Sequence, residues 1–199
     1  MAYKEFTLLN VEQKLGVTIS RATLFDNVEP LQPPTWLEET LAKGKPLAFV
    51  SEKSRSEFIV APILLALRDL TGNRISIYSG ERMDADATRG LNGECDFILT
   101  LTPPLPLLKS PIITMVEAKK NYVEEGLGQC IAQMVGAQVF NQLEGNQTDT
   151  IFGCATTGED WQFLRLKDET VEFDTDRYYI DNVGKILGVF KTIVDYFVT

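Results

Sequence analysis

Residues 111–120 read PIITMVEAKK, an apolar run that ends on Glu117 and Lys119, two positions apart. In a strand, residues two apart share a face. The carboxylate and the ammonium therefore point the same way, with Val116 and Ala118 packing on the other side. Upstream, the run GECDFILT carries Asp96 between Cys95 and Phe97, and strict alternation turns Asp96 opposite to both. If the two strands pair with Asp96 and Glu117 on one side, two carboxylates and an ammonium converge. Such a set suits a hard divalent cation, Mg²⁺ or Mn²⁺; Mg²⁺ takes oxygen ligands and keeps several waters. A water bound to that cation can attack phosphorus. Lys119 would orient the water or help deprotonate it, and would offset negative charge in the transition state.

Composition closes other routes. The chain has no histidine, which removes Ser-His-Asp and Cys-His catalysis and any imidazole metal site. Cys95, Cys130 and Cys154 are widely spaced among apolar or small neighbours, the pattern of free buried thiols rather than of a disulfide or metal cage. The net charge of −9 argues against a surface that grips phosphate backbones over a wide area. The charge is uneven, however. Residues 41–82 carry seven basic and four acidic side chains, and residues 159–181 carry three basic and eight acidic ones, so a local patch can still meet phosphate.

Elements able to hold these residues follow from pattern. The 199 residues, 44% hydrophobic and 24% charged, suit one soluble domain with a sizeable core. No apolar run matches a membrane span and no signal peptide is visible, so a cytoplasmic location is expected. Residues 4–15 fit a short amphipathic helix. Thr35 with Glu38 forms a capping box for a helix over 36–43, followed by GKPLAFV as a turn and an extended segment. SRSEFIVAPILLALRDLTG has helical periodicity, Pro62 predicts a kink or a late start, and Gly72 a stop. Strands are expected at RISIYSGERMDAD, ECDFILTL and IITMVEAK, with TRGLNG as a loop; the last two strands should pair across a Pro-rich connection. A long helix (NYVEEGLGQCIAQMVGAQVFNQL), strands TIFGCATT and WQFLRLK, a short edge strand ETVEFDT and a closing helix complete the chain. The order predicts an α/β sandwich, a central mixed sheet flanked by helices on both faces.

GECDFIL, the 21-position step from Asp96 to Glu117, and VEAKK together resemble the PD-(D/E)XK nuclease superfamily. The resemblance covers residues 54–157, leaving residues 1–50 as an N-terminal helical extension of a single nuclease-like domain over 1–199. It implies a restriction-endonuclease-like three-layer fold and Mg²⁺- or Mn²⁺-dependent hydrolysis of DNA. Asp96, Glu117 and the Ala118 carbonyl match the metal ligands, and Lys119 the lysine of the E-x-K motif. Glu57, on the preceding helix, matches the family's first acidic residue, with a role at a second metal or in orienting the water. Gln129 and Gln133 resemble the glutamine-bearing motif near the scissile phosphate. A homodimer is compatible with the family. Cys95 stands where the name-giving motif has proline.

Plainer readings accompany each residue, and Asp96 also suits a surface position near a turn. Glu117 and Lys119 also suit a solvated strand end. Ser54-x-x-Glu57 is itself a capping box. Gln129 and Gln133 suit the polar face of a helix, Lys120 is a solvated charge, and Asp84 and Asp86 are loop carboxylates. The alternative function is a catalytically inactive module of the same fold that binds a protein or nucleic-acid partner.

Overall fold

The computed structural model describes residues 2–48 and 50–198. Among these, eight strands form one mixed sheet: β1 (Thr18–Ala22), β2 (Ser76–Asp86), β3 (Leu91–Thr100), β4 (Ile112–Ala118), β5 (Thr150–Thr156), β6 (Asp160–Lys167), β7 (Thr170–Asp174) and β8 (Tyr178–Tyr179). The spatial order is β1-β7-β6-β5-β4-β3-β2, with β8 pairing the start of β6. β4 and β5 run parallel, as do β1 and β7; the other pairs are antiparallel. A parallel pair needs a long crossover, and the helix between β4 and β5 supplies it.

The helices are α1 (Leu8–Leu15), α2 (Thr35–Ala48), α3 (Glu52–Arg55), α4 (Ala61–Leu70), α5 (Glu124–Leu143) and α6 (Val183–Val198). They cover both faces of the sheet. On one face, Val11 of α1 and Ile131 and Met134 of α5 pack with Ile98, Met115 and Leu164. On the other, Leu37 of α2, Ile63 and Leu67 of α4 and Phe190 of α6 pack with Phe97, Val116 and Phe163. All seven residues of β4 and of β5 are consequently buried, as expected for strands covered on both sides. Cys95, Cys130 and Cys154 are free and buried. No helix among the described residues is long and apolar enough to cross a membrane.

Several local expectations are corrected. The helix predicted over 36–43 continues to Ala48 through Gly44 and Pro46, where a turn and extended segment were expected; Phe49 of that segment lies outside the described residues. Packing explains the extension. A Cβ on Gly44 would sit 2.6 Å from the Phe58 carbonyl oxygen, so this part of α2 rests directly on the backbone that joins α3 to α4. α4 does start late, at Ala61 with Pro62 in its first turn, and a separate short helix precedes it from Glu52, capped by Ser51, whose hydroxyl accepts the Ser54 N–H at 3.0 Å. A π-helical turn, Ser56–Val60, joins α3 to α4 just before Pro62. Proline offers no N–H to the preceding turn, and a π turn is one way for a helix to absorb the mismatch.

The first 50 residues are more than a helical extension. They contribute β1, which lies outside β7, so the strand expected at the edge is internal. TRGLNG is not all loop: a 3₁₀ turn at Ala87–Arg89 is followed at once by β3, where Leu91 pairs with Asp86. Tyr3, Phe6, Val11 and Leu15 are buried against α5 and the sheet. The contact is close enough that a Cβ on Gly128 would lie 2.4 Å from the Thr7 carbonyl carbon. Backbone, unlike a side-chain tip, cannot swing aside. Gly128→Ala is therefore expected to destabilise the fold by about 1–3 kcal/mol, read as a lower denaturation midpoint. An unchanged midpoint would mean that residues 3–15 are not docked as described.

Candidate active site

The β3–β4 hairpin sets up the site. Phe97 pairs with Val116 and Ile98 with Met115. Carrying that register one step further sets Asp96 across from Glu117. Strict alternation does not hold at Asp96: Cys95 packs on the α5 face and Phe97 on the other. The irregularity lies where Gly80 of β2, at φ +64°, falls between the pairs Ser79–Phe97 and Glu81–Cys95. Asp96 is thus not simply opposite both neighbours. Its Oδ2 is turned to the end of β4 and accepts the Ala118 N–H at 2.7 Å.

Glu117 is only 1% exposed. Lys119 Nζ donates to its Oε1 at 2.6 Å, and Gln133 Nε2 of α5 donates to its Oε2 at 2.7 Å. The Lys119 N–H donates to the Thr156 carbonyl at 2.8 Å, which prolongs the β4–β5 ladder by one residue and holds the lysine against the sheet. The first turn of α5 leaves room because residue 126 is glycine. A Cβ there would stand 3.0 Å from Lys119 Cγ and 3.4 Å from Glu117 Cγ. On its other side Lys119 Nζ lies 3.7 Å from Glu52 Oε1, at the start of α3.

Charge and burial pull these groups in different directions. Burial, then the neighbouring Asp96, pushes the Glu117 carboxyl up to about 8, against the opposing pull of Lys119 and Gln133. Burial also raises Asp96 above the usual carboxylate range, with Ala118 N–H and Lys119 working the other way. Burial opposes the Lys119 charge, but Glu117, Glu52 and Asp96 outweigh it and hold the ammonium more firmly than usual. The cluster is a cation clasped by acids that themselves repel one another.

The structure brings together Asp96, Glu117, Lys119 and Gln133. It does not bring in Glu57, which is 55% exposed and forms a surface pair with Lys53 at 3.8 Å. Glu52 occupies the place beside the lysine instead. The signal for it was Ser51, one turn ahead of the capping box read at Ser54. Gln129 lines a separate cavity of about 380 Å³ with Arg82 and Glu94. Asp84 pairs with Arg82 at 2.8 Å and accepts the Gly93 N–H, and Asp86 caps the turn at Thr88, so both serve local structure. Gly126 gave no signal in the sequence, since its use is defined only by what packs on it.

Among the described residues, no group of three or more His, Cys, Asp and Glu side chains is gathered as a metal cage. The oxygen donors gathered at the end of β4 are the Asp96 and Glu117 carboxylates. Besides burial, Asp96 raises the proton affinity of Glu117, a repulsion that a cation would relieve, and a hard ion that retains waters needs few protein ligands. On those grounds Asp96 and Glu117 could hold Mg²⁺ or Mn²⁺.

A pH test follows from Glu117. Its folded-state affinity for a proton exceeds that of an unfolded glutamate, so its stabilising contribution is full below the usual carboxylate range and lost as pH rises towards about 8. In metal-free buffer, the melting temperature of the wild type should fall more steeply across that window than that of Glu117→Gln. Parallel pH profiles would contradict the assigned burial.

No protein-family model, curated protein or solved structure matches the chain.

Proposed function

We propose that the protein is a Mg²⁺- or Mn²⁺-dependent nuclease of restriction-endonuclease-like fold that hydrolyses phosphodiester bonds in DNA. One observation carries the reading: Asp96 of β3 meets the end of β4 through Ala118 N–H, at the point where Glu117 and Lys119 are bonded to each other. Asp96, Glu117 and the Ala118 carbonyl would hold the ion, which when bound supplies Lewis acidity and a water acidic enough to attack. The chain's own groups do the rest. Gln133 fixes the Glu117 carboxylate by holding Oε2. Glu117 and Glu52 flank the Lys119 ammonium and keep it charged. At 15% side-chain exposure, the ammonium is dry enough to act strongly on a phosphate oxygen yet still reachable, and it offsets the charge that develops at phosphorus. Glu57 is left without a catalytic role.

A second reading keeps the fold but not the reaction: an inactive module that binds a protein or nucleic-acid partner. The net charge of −9 and the absence of a three-carboxylate cage among the described residues favour it.

Cleavage of single- and double-stranded DNA, compared in Mg²⁺, Mn²⁺ and EDTA, separates the two. On the nuclease reading, Asp96→Asn, Glu117→Gln and Lys119→Ala each lower metal-dependent cleavage by roughly 100-fold or more, whereas Glu57→Ala leaves it unchanged. Mn²⁺ should also raise the melting temperature of the wild type and not that of Asp96→Asn. A folded wild type with no metal-dependent cleavage, or with cleavage that Lys119→Ala retains in full, would sink the proposal. Absence of any Asp96-dependent metal effect would select the binding module.

A further inference from the structure

β2 closes the sheet on one side, and among the described residues no strand pairs with its outer edge. A free edge is a row of unpaired N–H and C=O groups, and proteins blunt such edges with charges, bulges or cover. The far half of β2 is blunted in this way: Glu81, Arg82 and Asp84 follow Gly80, which stands at φ +64°. The near half, residues 76–79, carries no charge.

That near half lines a cleft of about 340 Å³. Leu65 and Arg68 of α4 form one wall, and Leu105, from the connection between β3 and β4, forms the other. The two walls belong to the two faces of the sheet. Ile77 packs with the α4 side of the core and Tyr78 with the α5 side. The Tyr78 hydroxyl fixes the connection, donating to the Leu107 carbonyl at 3.2 Å and accepting the Leu105 N–H at 3.4 Å. Both walls are apolar and open to water: Leu65 is 52% exposed, Leu105 47% and neighbouring Leu107 60%. Leucines left in water around one cleft mark an interaction surface. Arg68 is the only charge in the lining, and among the described residues it has no carboxylate partner.

Each feature specifies the occupant. A free ladder is satisfied by an extended backbone, whose successive side chains turn to opposite faces. Leu65 with Ile77 receives one set, and Leu105 with Tyr78 the other. Arg68 supplies charge complementarity to a carboxylate. We propose that the start of β2 docks an extended segment of a partner protein, added to the sheet as a further strand, apolar at successive positions and carrying one acidic side chain for Arg68. The surface lies away from the candidate active site. Ser76 pairs with Thr100, and Thr100 with Ile112, so the cleft is at the opposite end of β4 from Glu117, about 16 Å along the strand. A docked segment leaves Glu117 and Lys119 uncovered, and the proposal does not depend on the nuclease reading.

The probe is a fluorescein-labelled peptide, Ser-Val-Ile-Val-Glu-Ser with an amidated end, titrated by anisotropy against the full chain. One control peptide is N-methylated throughout Val-Ile-Val, which removes its ladder donors; another has Gln in place of Glu. Leu65→Gln and Leu105→Gln should each weaken binding by roughly three- to tenfold. Arg68→Gln should do the same for the Glu peptide and leave the Gln peptide unchanged. The N-methylated peptide should bind about tenfold more weakly or worse, and hydrogen exchange at residues 76–79 should slow when the unmodified peptide is bound. These side chains are all at least partly exposed, so the variants are expected to fold, and their denaturation midpoints check it. No binding by the wild type, full binding by the N-methylated peptide, or unchanged binding by the folded variants overturns the proposal. Sedimentation of the same samples covers the other occupant: a wild type that self-associates, and becomes monomeric in Leu105→Gln, gives the cleft to a second copy and overturns the partner segment.

Discussion

A carboxylate that is only 1% exposed governs this molecule: Glu117, at the end of β4. A carboxyl group there is tolerated only when its oxygens are bonded, and both are, by Lys119 and Gln133. Each partner imposes a demand on the fold. Gln133 requires α5 to lie across β4. Lys119 requires the strand to continue past Ala118, which the Thr156 carbonyl of β5 provides. β5 can stand parallel to β4 only because α5 spans the distance between them. Gly126 then lets the first turn of α5 approach the pair without a side chain in the way.

The opposite side of the cluster depends on a helix irregularity. Proline at position 62 cannot complete the backbone pattern of the turn before it, and the π turn at Ser56–Val60 stands there. Upstream of that turn the helix presents Glu52 to Lys119 and Arg55 to the Thr157 carbonyl, while Glu57 faces solvent. Gly44 of α2 seats against the Phe58 carbonyl and holds this segment in place. Acid and guanidinium therefore reach the ends of β4 and β5 from a single short stretch of chain.

Much of this was legible in the residues. β3, β4, β5, β6 and α5 announced themselves by sustained apolar runs bounded by turns, because both faces of the central strands are covered. The meeting of Asp96 with the end of β4 followed from a hairpin register. Gln133 entered together with Gln129 through the family resemblance, and their equivalence did not survive: one residue faces Glu117 and the other lines a different cavity. What escaped was set by packing rather than pattern. β1 is five residues with no clean alternation, and it is a strand because β7 offers it a backbone ladder. Alternation failed at Asp96 because Cys95 and Phe97 serve opposite faces of the core, opposite a glycine at positive φ.

The sequence by itself determined the chemistry on offer: carboxylates and lysine with no histidine, a strand ending in Glu117 and Lys119, and a preceding strand carrying Asp96. Those facts depend on residue types and on the two-residue period of a strand, which no tertiary contact alters. Which glutamate stands beside the lysine was decided only by the folded chain. Glu52 and Glu57 are both plausible on a regular helix, and the choice between them turns on the phase of that helix, set by its start at Ser51. A helix's phase is fixed by what it packs against, and that information is spread over Gly44, Phe58 and the sheet rather than written near either glutamate.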